Sequence, residues 1–439
     1  MTTVSKENIS ILNTEIRKLL AKGAIRPVKF TSTAFYSRLF LVPNKGGDLR
    51  PVIDLSALNQ FVTNEHFQME NISSLKQMLN QNDFMVKLDL KDAYLTVGVH
   101  EQSQPYLRFV WQGQSYQFQA LPFGLCTAPR VFTKLLKPVI TFLRTHNIHL
   151  LIYLDDILIV GSDILTLQEQ TNLVLDLLQS LGFIINFEKS VLTPSPTMEF
   201  LGLLVDSRTM MFYLPSHKVT KAITLCHTLL QNRVILLRDL AQLLGFLEST
   251  RPAIWLAPLH FRHLQYCLIQ QLALNQGSYD SRVSLHPLAK EELRWWIANI
   301  HRVNGSLLHP PSCEMTITSD ASKLGWGAAC GHRTTKGSWS AQERLLHINV
   351  LELKAAFLAI QSFLKHKSNI SIKLRLDNTT AVAYVNNKGG TRSPELVELT
   401  LELWKWCLNR GIYIQAVHLP GIQNCLADKE SRTCIDPND

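Results

Sequence analysis

Apolar residues along this chain follow two rhythms, helical spacing and short strand-like runs, and the segments alternate between them. Residues 7–24 carry Ile11, Ile16, Leu19 and Leu20 near helical spacing, and Gly23 stands where a helix would stop. In SRLFLVPNKGGDLRPVIDL two short apolar runs flank a Gly-Gly turn, which predicts a β-hairpin with Lys45 and Arg50 near its tip. A helical stretch with Ser73, Lys76 and Gln77 on its polar face leads to the strand FMVKLDL. A second hairpin, TVGVHEQSQPYLRFVWQGQSYQFQA, turns at Gly113. The helix APRVFTKLLKPVI follows, and then the apolar run IHLLIYLDDILIVG.

The texture changes after Asp206. SHKVTKAITLCHTLLQN and LRDLAQLLGFLES are helical in pattern, and Pro252 and Pro258 break it, so a helical extension followed by a linker is expected. A third texture begins near Ser312. The strand MTITSD precedes a Gly-rich run (GWGAACGH) and the helix NVLELKAAFLAIQSFLKHK. The strand SIKLRLD leads into the helix NTTAVAYVN, closed by Gly389 and Gly390. The Trp-rich helix ELVELTLELWKWCLNR and the strand YIQAVHL complete the unit. Strands alternating with helices over this length predict an α/β domain of its own. No internal repeat or low-complexity segment occurs.

Composition narrows the partners. Of 439 residues 46% are apolar, enough for two or more cores. Lys and Arg number 44 against 35 Asp and Glu, a formal charge of +9. That surplus suits a polyanion, because neutralising phosphates releases counterions, though it also suits a basic enzyme whose charge only aids solubility. Cysteines at 126, 226, 267, 313, 330, 407, 425 and 434 form no CxxC pair and no zinc-spaced ladder, so reduced thiols are expected. The most apolar stretch, His149 to Val160, is interrupted by two aspartates and too short to span a bilayer, and no signal peptide opens the chain. A soluble, intracellular protein with no membrane partner is expected, its compartment and oligomeric state unspecified.

Within the apolar runs sit acids that are expensive there. Asp89 ends the strand VKLDL, and Asp155 and Asp156 interrupt LIYLDDILIV. Buried carboxylates must be paired, protonated or bound to metal. A hairpin turning at Leu154-Asp155-Asp156 would bring them beside Asp89, and three converging carboxylates suit a pair of Mg²⁺ ions. An Asp-Asp surface turn between edge strands reads equally well from these residues alone.

YLDD at 153–156 resembles motif C of reverse transcriptases, LDLKDAY at 88–94 their motif A, and LPFGLCTAPRVF their motif B. PNKGGDLRPVIDLSALN is similar to the fingers segment over the incoming nucleotide, and NFEKS and EFLGLLVD to motifs D and E. The wording is nearest to retrotransposon enzymes of the gypsy and DIRS types. The resemblance implies that Asp89, Asp155 and Asp156 bind metal, with the Leu90 carbonyl as a further ligand. It implies that Lys45 and Arg50 grip the triphosphate. Tyr94 would stack under the sugar and exclude a 2′-hydroxyl; a plain core tyrosine is the alternative. Phe123 stands where retroviral enzymes often carry Gln, and would pack by the sugar rather than hydrogen-bond to it. Lys189 would protonate the pyrophosphate leaving group, unless it is simply an exposed lysine near a turn.

A second set of acids lies near the C-terminus. Asp320 ends TITSD, Glu352 lies near the start of a helix, Asp377 ends KLRLD where a helix begins, and Asp428 stands in NCLADKESR. Taken singly, Asp377 reads as an N-cap and Glu352 as a first-turn acid favoured by the helix dipole. Together, in TSDASKLGWGA, INVLELKAAFLAI, LRLDNTTAVAYVN and HLPGIQNCLAD, they resemble the Asp-Glu-Asp-Asp set of ribonuclease H, especially the DIRS-type domain. His418, ten residues before Asp428, matches that family's mobile histidine, or is a strand end with no proton to move. Asn424 would help orient the same loop.

The fold implied is an α+β fingers–palm–thumb polymerase followed by an α/β ribonuclease H-like domain. Residues 1–205 would be fingers and palm, 206–311 a helical thumb and connection, and 312–434 ribonuclease H-like. The activity implied is RNA-directed DNA synthesis with cleavage of the RNA–DNA hybrid. It would use an RNA template, a DNA primer, dNTPs and two Mg²⁺ per site, Mn²⁺ favouring the same oxygen ligands. Lys218, Lys221 and Arg238 could meet duplex phosphates or be solvated residues of core helices, and Trp295-Trp296 reads as packing rather than a base platform. The competing expectation is a decayed or domesticated retroelement fragment, or processed product, that binds nucleic acid or keeps only the nuclease.

Overall fold

The first helix stops where its glycine stands. α1 (Lys6–Ala21) buries Leu12 and Ile16, and Gly23 takes φ +66 just beyond it. The computed structural model describes residues 6–43, 49–421 and 424–432, and the chain divides into two compact units, Met1–Met210 and Met211–Asp439.

In the first unit, β1 (Ile25–Val28) is followed by the predicted hairpin of β2 (Tyr36–Pro43) and β3 (Leu49–Asp54), paired antiparallel with Leu39 opposite Ile53. The short α2 (Ser56–Asn59) and α3 (Ile72–Met78) lead to β4 (Phe84–Lys91). The second hairpin joins β5 (Arg108–Trp111) to β6 (Gln114–Phe118) through Gln112 and Gly113, both at positive φ as a two-residue turn favours. These strands form a five-stranded sheet in the order β1-β6-β5-β2-β3. After α4 (Ala128–Thr145) come β7 (His149–Tyr153), β8 (Asp156–Gly161), α5 (Ile164–Ser180), β9 (Ile184–Ile185) and β10 (Val191–Ser195). Their sheet runs β10-β4-β8-β7, with β9 also paired to β4. One face of β4 and β8 is continuously apolar. Val86, Leu88, Ile157 and Ile159 are buried against Phe132 and Leu136 of α4 and Leu167 and Val174 of α5. Burial of each such side chain contributes about 1.5–3 kcal/mol, which anchors strands that also carry acids. The hairpin of β11 (Thr197–Phe200) and β12 (Leu203–Asp206) ends the unit.

The second unit opens with β13 (Met211–Tyr213), α6 (Ser216–Gln231), β14 (Ile235–Leu236) and α7 (Leu237–Ser249). The linker expected beyond Pro252 and Pro258 is instead structured. α8 (Arg262–Leu274), β15 (Arg282–Val283), α9 (Pro287–Val303) and β16 (Ser306–Leu307) occupy it. Pro258 sits in a 3₁₀ turn, Ala257–His260, so it breaks the chain locally without preventing the next helix. Trp296 is buried and donates from Nε1 to the His260 carbonyl at 2.8 Å, and Trp295 lies flat on the His260 ring. The pair is packing, as expected.

The remaining elements build one mixed sheet. β17 (Met315–Ala321), β18 (Gly325–Cys330) and β19 (Arg333–Ser338) form an antiparallel meander. After α10 (Ile348–Phe363), β20 (Ser371–Leu376) joins β17 in parallel. After α11 (Thr379–Asn386) and α12 (Pro394–Leu408), β21 (Tyr413–His418) joins β20 in parallel. The order is β19-β18-β17-β20-β21, and α13 (Cys425–Arg432) follows. Parallel neighbours require crossovers, which the helices supply. No described helix is long and apolar enough to cross a membrane.

Candidate functional site

Strand alternation puts Lys87 and Asp89 of β4 on one face, away from Leu88 and Leu90, which are buried. β8 pairs with β4 so that Asp156 stands opposite Asp89. The turn between β7 and β8 is the two residues Leu154 and Asp155, since Tyr153 pairs with Asp156. Leu154 holds φ +57, a left-handed conformation that a leucine adopts at a cost of about 1–2 kcal/mol. The amide of Leu90 donates to the Asp155 carbonyl at 2.8 Å, which ties the tip to β4.

Each acid of this cluster has a different environment. Asp156 is ion-paired with Lys87 at 3.0 Å, both side chains being largely shielded. Asp89 accepts from the Asn186 side-chain amide at 3.0 Å. Asp155 projects at the tip, yet its carboxyl sits among enough protein to lose water. That loss, with the charges of Asp156 and Asp89, holds its pKa above the ordinary carboxylate value, while Lys189 pulls the other way. A cavity of about 320 Å³ opens here, lined by Arg50, Asp89, Leu90, Phe123, Asp155 and Lys189 among others. α1 brings Lys18 and Lys22 to the same cavity, each already paired, with Glu15 and Asp92.

The aromatic residues form a connected row. The Arg50 guanidinium lies over the Phe123 ring at 5.3 Å, and Phe123 meets Tyr94 with ring centroids 5.0 Å apart. Tyr94 is buried and also meets Phe132 edge-on, and burial, with the nearby Asp155, pushes its hydroxyl up to about 12. Lys45 lies outside the described residues.

The second cluster is tighter. Asp320 lies near the end of β17, Asp377 just past β20 and Glu352 in α10, and their ligand atoms come within 4.8 Å of one another. No other such group of three occurs among the described residues, so the first three acids converge less closely than these. The N-cap of α11 is Asn378, accepting from the Ala381 amide at 2.9 Å, so Asp377 is not spent as a cap. Glu352 lies beyond the first turn of α10. Glu352 and Asp320 are buried, and Glu352 Oε2 has no hydrogen-bond partner. Burial, then the charges of Asp320 and Asp377, raise Glu352 to about 9. Asp320 rises to about 6, from burial and from Asp377 and Asp428. Crowded acids, one carrying an orphaned oxygen, fit a cation lying among them.

Asp428 is the exception to the expected four. Its Oδ1 accepts from Arg432 Nε and Nη2 at 2.8 and 2.6 Å, a pair four residues apart on α13, and it stands outside the close group. Its charge still reaches Asp320. His418 is exposed, with Nε2 3.1 Å from the Asp377 carbonyl oxygen. Asn424 donates to Asp320 Oδ1 at 3.0 Å, and Ser431 donates to Oδ2 at 2.6 Å. α13 docks because Gly327 has no side chain: a Cβ there would lie 2.5 Å from the Ala427 carbonyl.

Sequence reasoning missed Lys87, Asn186, Ser190 and Ser431. Lys87 carried a signal, since it shares the alternating face with Asp89. Of the basic residues between the clusters, Lys221 lies over the Phe246 ring at 5.1 Å and Arg238 pairs with Asp280 at 2.7 Å.

Residues 42–205 match the family model described as reverse transcriptase (RNA-dependent DNA polymerase). That stretch is similar to the reverse transcriptase region of retroelement and viral polyproteins. It is 26% identical to the enzymatic polyprotein of Figwort mosaic virus over 435 residues, 94% of this chain and 60% of that one. It is 24% identical over 448 residues to the Tf2-3 transposon polyprotein of Schizosaccharomyces pombe, covering 96% of this chain and 30% of that one. The chain thus spans about 60% of the length of its viral relatives and less of the transposon's. Among solved structures, the foamy viral protease-reverse transcriptase in complex with RNA/DNA hybrid aligns with a TM-score of 0.59 at 16% identity, over 99% of this chain and 56% of that one. The same protein in complex with dsDNA gives 0.57 at 16%, over 94% and 83%. This likeness shows a shared mixed α/β fold.

Proposed function

We propose that this chain is an RNA-directed DNA polymerase with hybrid-specific ribonuclease H activity, serving replication of a DIRS-type or gypsy-type retrotransposon. The observation that carries the reading is the register of β4 on β8. It sets Asp89 opposite Asp156 at a strained tip, beside a cavity whose lining includes Asp89, Asp155, Arg50, Phe123 and Lys189. In this reading residues 1–205 are fingers and palm, 206–311 thumb and connection, and 312–434 the ribonuclease H-like domain.

Each side chain then has a task its environment suits. Arg50, braced on Phe123, forks onto the triphosphate of the incoming dNTP, with Lys45 as its companion. Tyr94, wedged between Phe123 and Phe132, stays neutral and supplies a rigid floor that a 2′-hydroxyl would strike. Lys189 gives a proton from Nζ to the departing pyrophosphate. Asp89, Asp155, Asp156 and the Leu90 carbonyl would hold Mg²⁺ or Mn²⁺ at the first cluster, and Asp320, Glu352, Asp377 and Asp428 at the second, Asp428 after release from Arg432. Bound there, two ions per cluster would supply Lewis-acid activation of the attacking oxygen and neutralise charge on the leaving one. At the second cluster His418, exposed beside Asp377, moves a proton during cleavage of the RNA strand.

The partners are an RNA template, a DNA primer and the hybrid they become, in keeping with the +9 charge and with the complexes of the foamy viral protein. Primer extension on an RNA template, run beside hybrid cleavage, tests the reading. Asp156→Asn is expected to abolish synthesis and spare cleavage, and Asp377→Asn to do the reverse. Loss of both activities from either substitution in a folded protein would refute two separate sites, and absence of both from the unsubstituted chain would favour a binding fragment.

A further inference from the structure

The strand beside Asp89 gives up its regular pairing where Asp89 stands. Ile185 of β9 is opposite Leu90 and Val191 of β10 is opposite Lys87, so residues 186–190 face only Leu88 and Asp89. The surplus residues fold into a small loop with its polar groups turned inward. The Asn186 amide donates to the Asp89 carbonyl at 2.8 Å, and its side-chain amide donates to Asp89 Oδ1 at 3.0 Å. The Asp89 amide donates to Ser190 Oγ at 3.0 Å, and that hydroxyl donates to the Asn186 carbonyl at 2.8 Å. Asp89 is thereby held at its amide, its carbonyl and one carboxylate oxygen by a closed ring of hydrogen bonds.

We infer that Asn186 is the positioning residue of Asp89, with Ser190 as its brace, fixing Oδ1 so that Oδ2 is the oxygen free for a ligand in the cavity. The inference rests on the reading of Asp89 as an ion ligand. A carboxylate on a strand rotates freely about its χ2 torsion unless one oxygen is tied. A charge-assisted hydrogen bond ties it without neutralising it, which a lysine at the same place would do. The loop also carries Lys189 between its two anchors, and the Lys189 amide donates to the Asn186 carbonyl at 3.2 Å. The same five residues therefore set both the acid and the basic group across the cavity.

The test is a double-mutant cycle read by Mn²⁺ binding, followed through water-proton relaxation on the full chain carrying Asp377→Asn to silence the second cluster. Loss of a group that orients a ligand costs roughly tenfold or more in metal affinity. Asn186→Ala is expected to weaken Mn²⁺ binding about tenfold, and Ser190→Ala to weaken it less. In an Asp89→Ala background Asn186→Ala is expected to change nothing further, because it acts only through Asp89. Unchanged Mn²⁺ affinity in Asn186→Ala, while Asp89→Ala weakens it, would overturn the inference alone. So would an effect that persists undiminished beside Asp89→Ala. If Asp89→Ala itself left Mn²⁺ binding intact, the ion-site reading would fall and this inference with it. Should Asn186→Ala not fold, Asn186→Ser and Ser190→Ala are carried through the same cycle with the same outcomes.

Discussion

The two acid clusters meet the same electrostatic problem in opposite ways. In the first, at the end of a hairpin, the acids have partners built in: Lys87 on Asp156, Asn186 on Asp89 and Lys189 near Asp155. In the second, under α10 and α13, Asp320 receives the neutral donors Asn424 and Ser431, and Glu352 keeps an orphaned oxygen. The cation Arg432 is turned to Asp428 at the margin. The first cluster is thus balanced in part by the chain itself, with repulsion left at Asp155, whereas the second stores more repulsion that protons or bound cations must relieve. This contrast, rather than the count of acids, predicts how each behaves when it is emptied or neutralised.

The largest expected effect concerns Glu352. Its folded pKa, about 9, lies above its unfolded value of 4.5. The folded state therefore binds more protons in that window, and stability falls as pH rises through it. Glu352→Gln removes the titration. Stability of the ion-free protein is expected to rise by on the order of 3 kcal/mol at neutral pH, with the gain vanishing towards pH 4.5, while hybrid cleavage is lost. Urea unfolding across pH would measure it. A gain independent of pH would show that Glu352 is not the stored charge.

Next in size is the response to divalent ions. Saturating Mg²⁺ at about a hundredfold excess over its Kd adds roughly 2.7 kcal/mol to any state that binds it. The second cluster's share of the increment should be larger above pH 6 than below, because Asp320 must lose its proton first, and Glu352→Gln should remove most of that share. Thermal melts with and without Mg²⁺ at two pH values decide this. The first cluster predicts a smaller effect of the opposite sign to that of Glu352→Gln. Asp156→Asn leaves Lys87 without its partner, so the ion-free protein is expected to lose about 1 kcal/mol. A stabilised Asp156→Asn protein would mean the two clusters do not differ in kind.

How much of this could be read from the chain depends on range. The antiparallel pairing of β2 with β3 and the turn at Gly113 were legible because such signals are local, and so were the acids, because a carboxylate inside an apolar strand is conspicuous. The Asp428–Arg432 pair is legible too, at four residues on a helix. The polar clasps were not, since Asn186 lies 97 residues from Asp89 and Ser431 lies 111 from Asp320. Nothing near an asparagine or a serine announces such a partner. α8 and α9 were lost behind two prolines whose effect proved to be confined to a turn. The reading of Asp377 as a cap failed for a finer reason, that the adjacent Asn378 takes the position.

The smallest effect separates the clusters by backbone rather than by charge. Leu154 is held left-handed at the hairpin tip while its side chain packs partly against the core of the first unit. No residue of the second close group, nor its immediate chain neighbours, carries a positive φ. Leu154→Gly would release about 1–2 kcal/mol of strain, while losing side-chain packing and adding freedom to the unfolded chain. These terms oppose, so stability is expected to move by less than about 1 kcal/mol. Synthesis should nevertheless fall, because a glycine no longer fixes where Asp155 points, and hybrid cleavage should be untouched. Primer extension and hybrid cleavage measured on the same preparation give the answer. Full synthesis in Leu154→Gly would show that the tip is positioned by its hydrogen bond from Leu90 and by the Lys87 pair alone, with the strained leucine incidental.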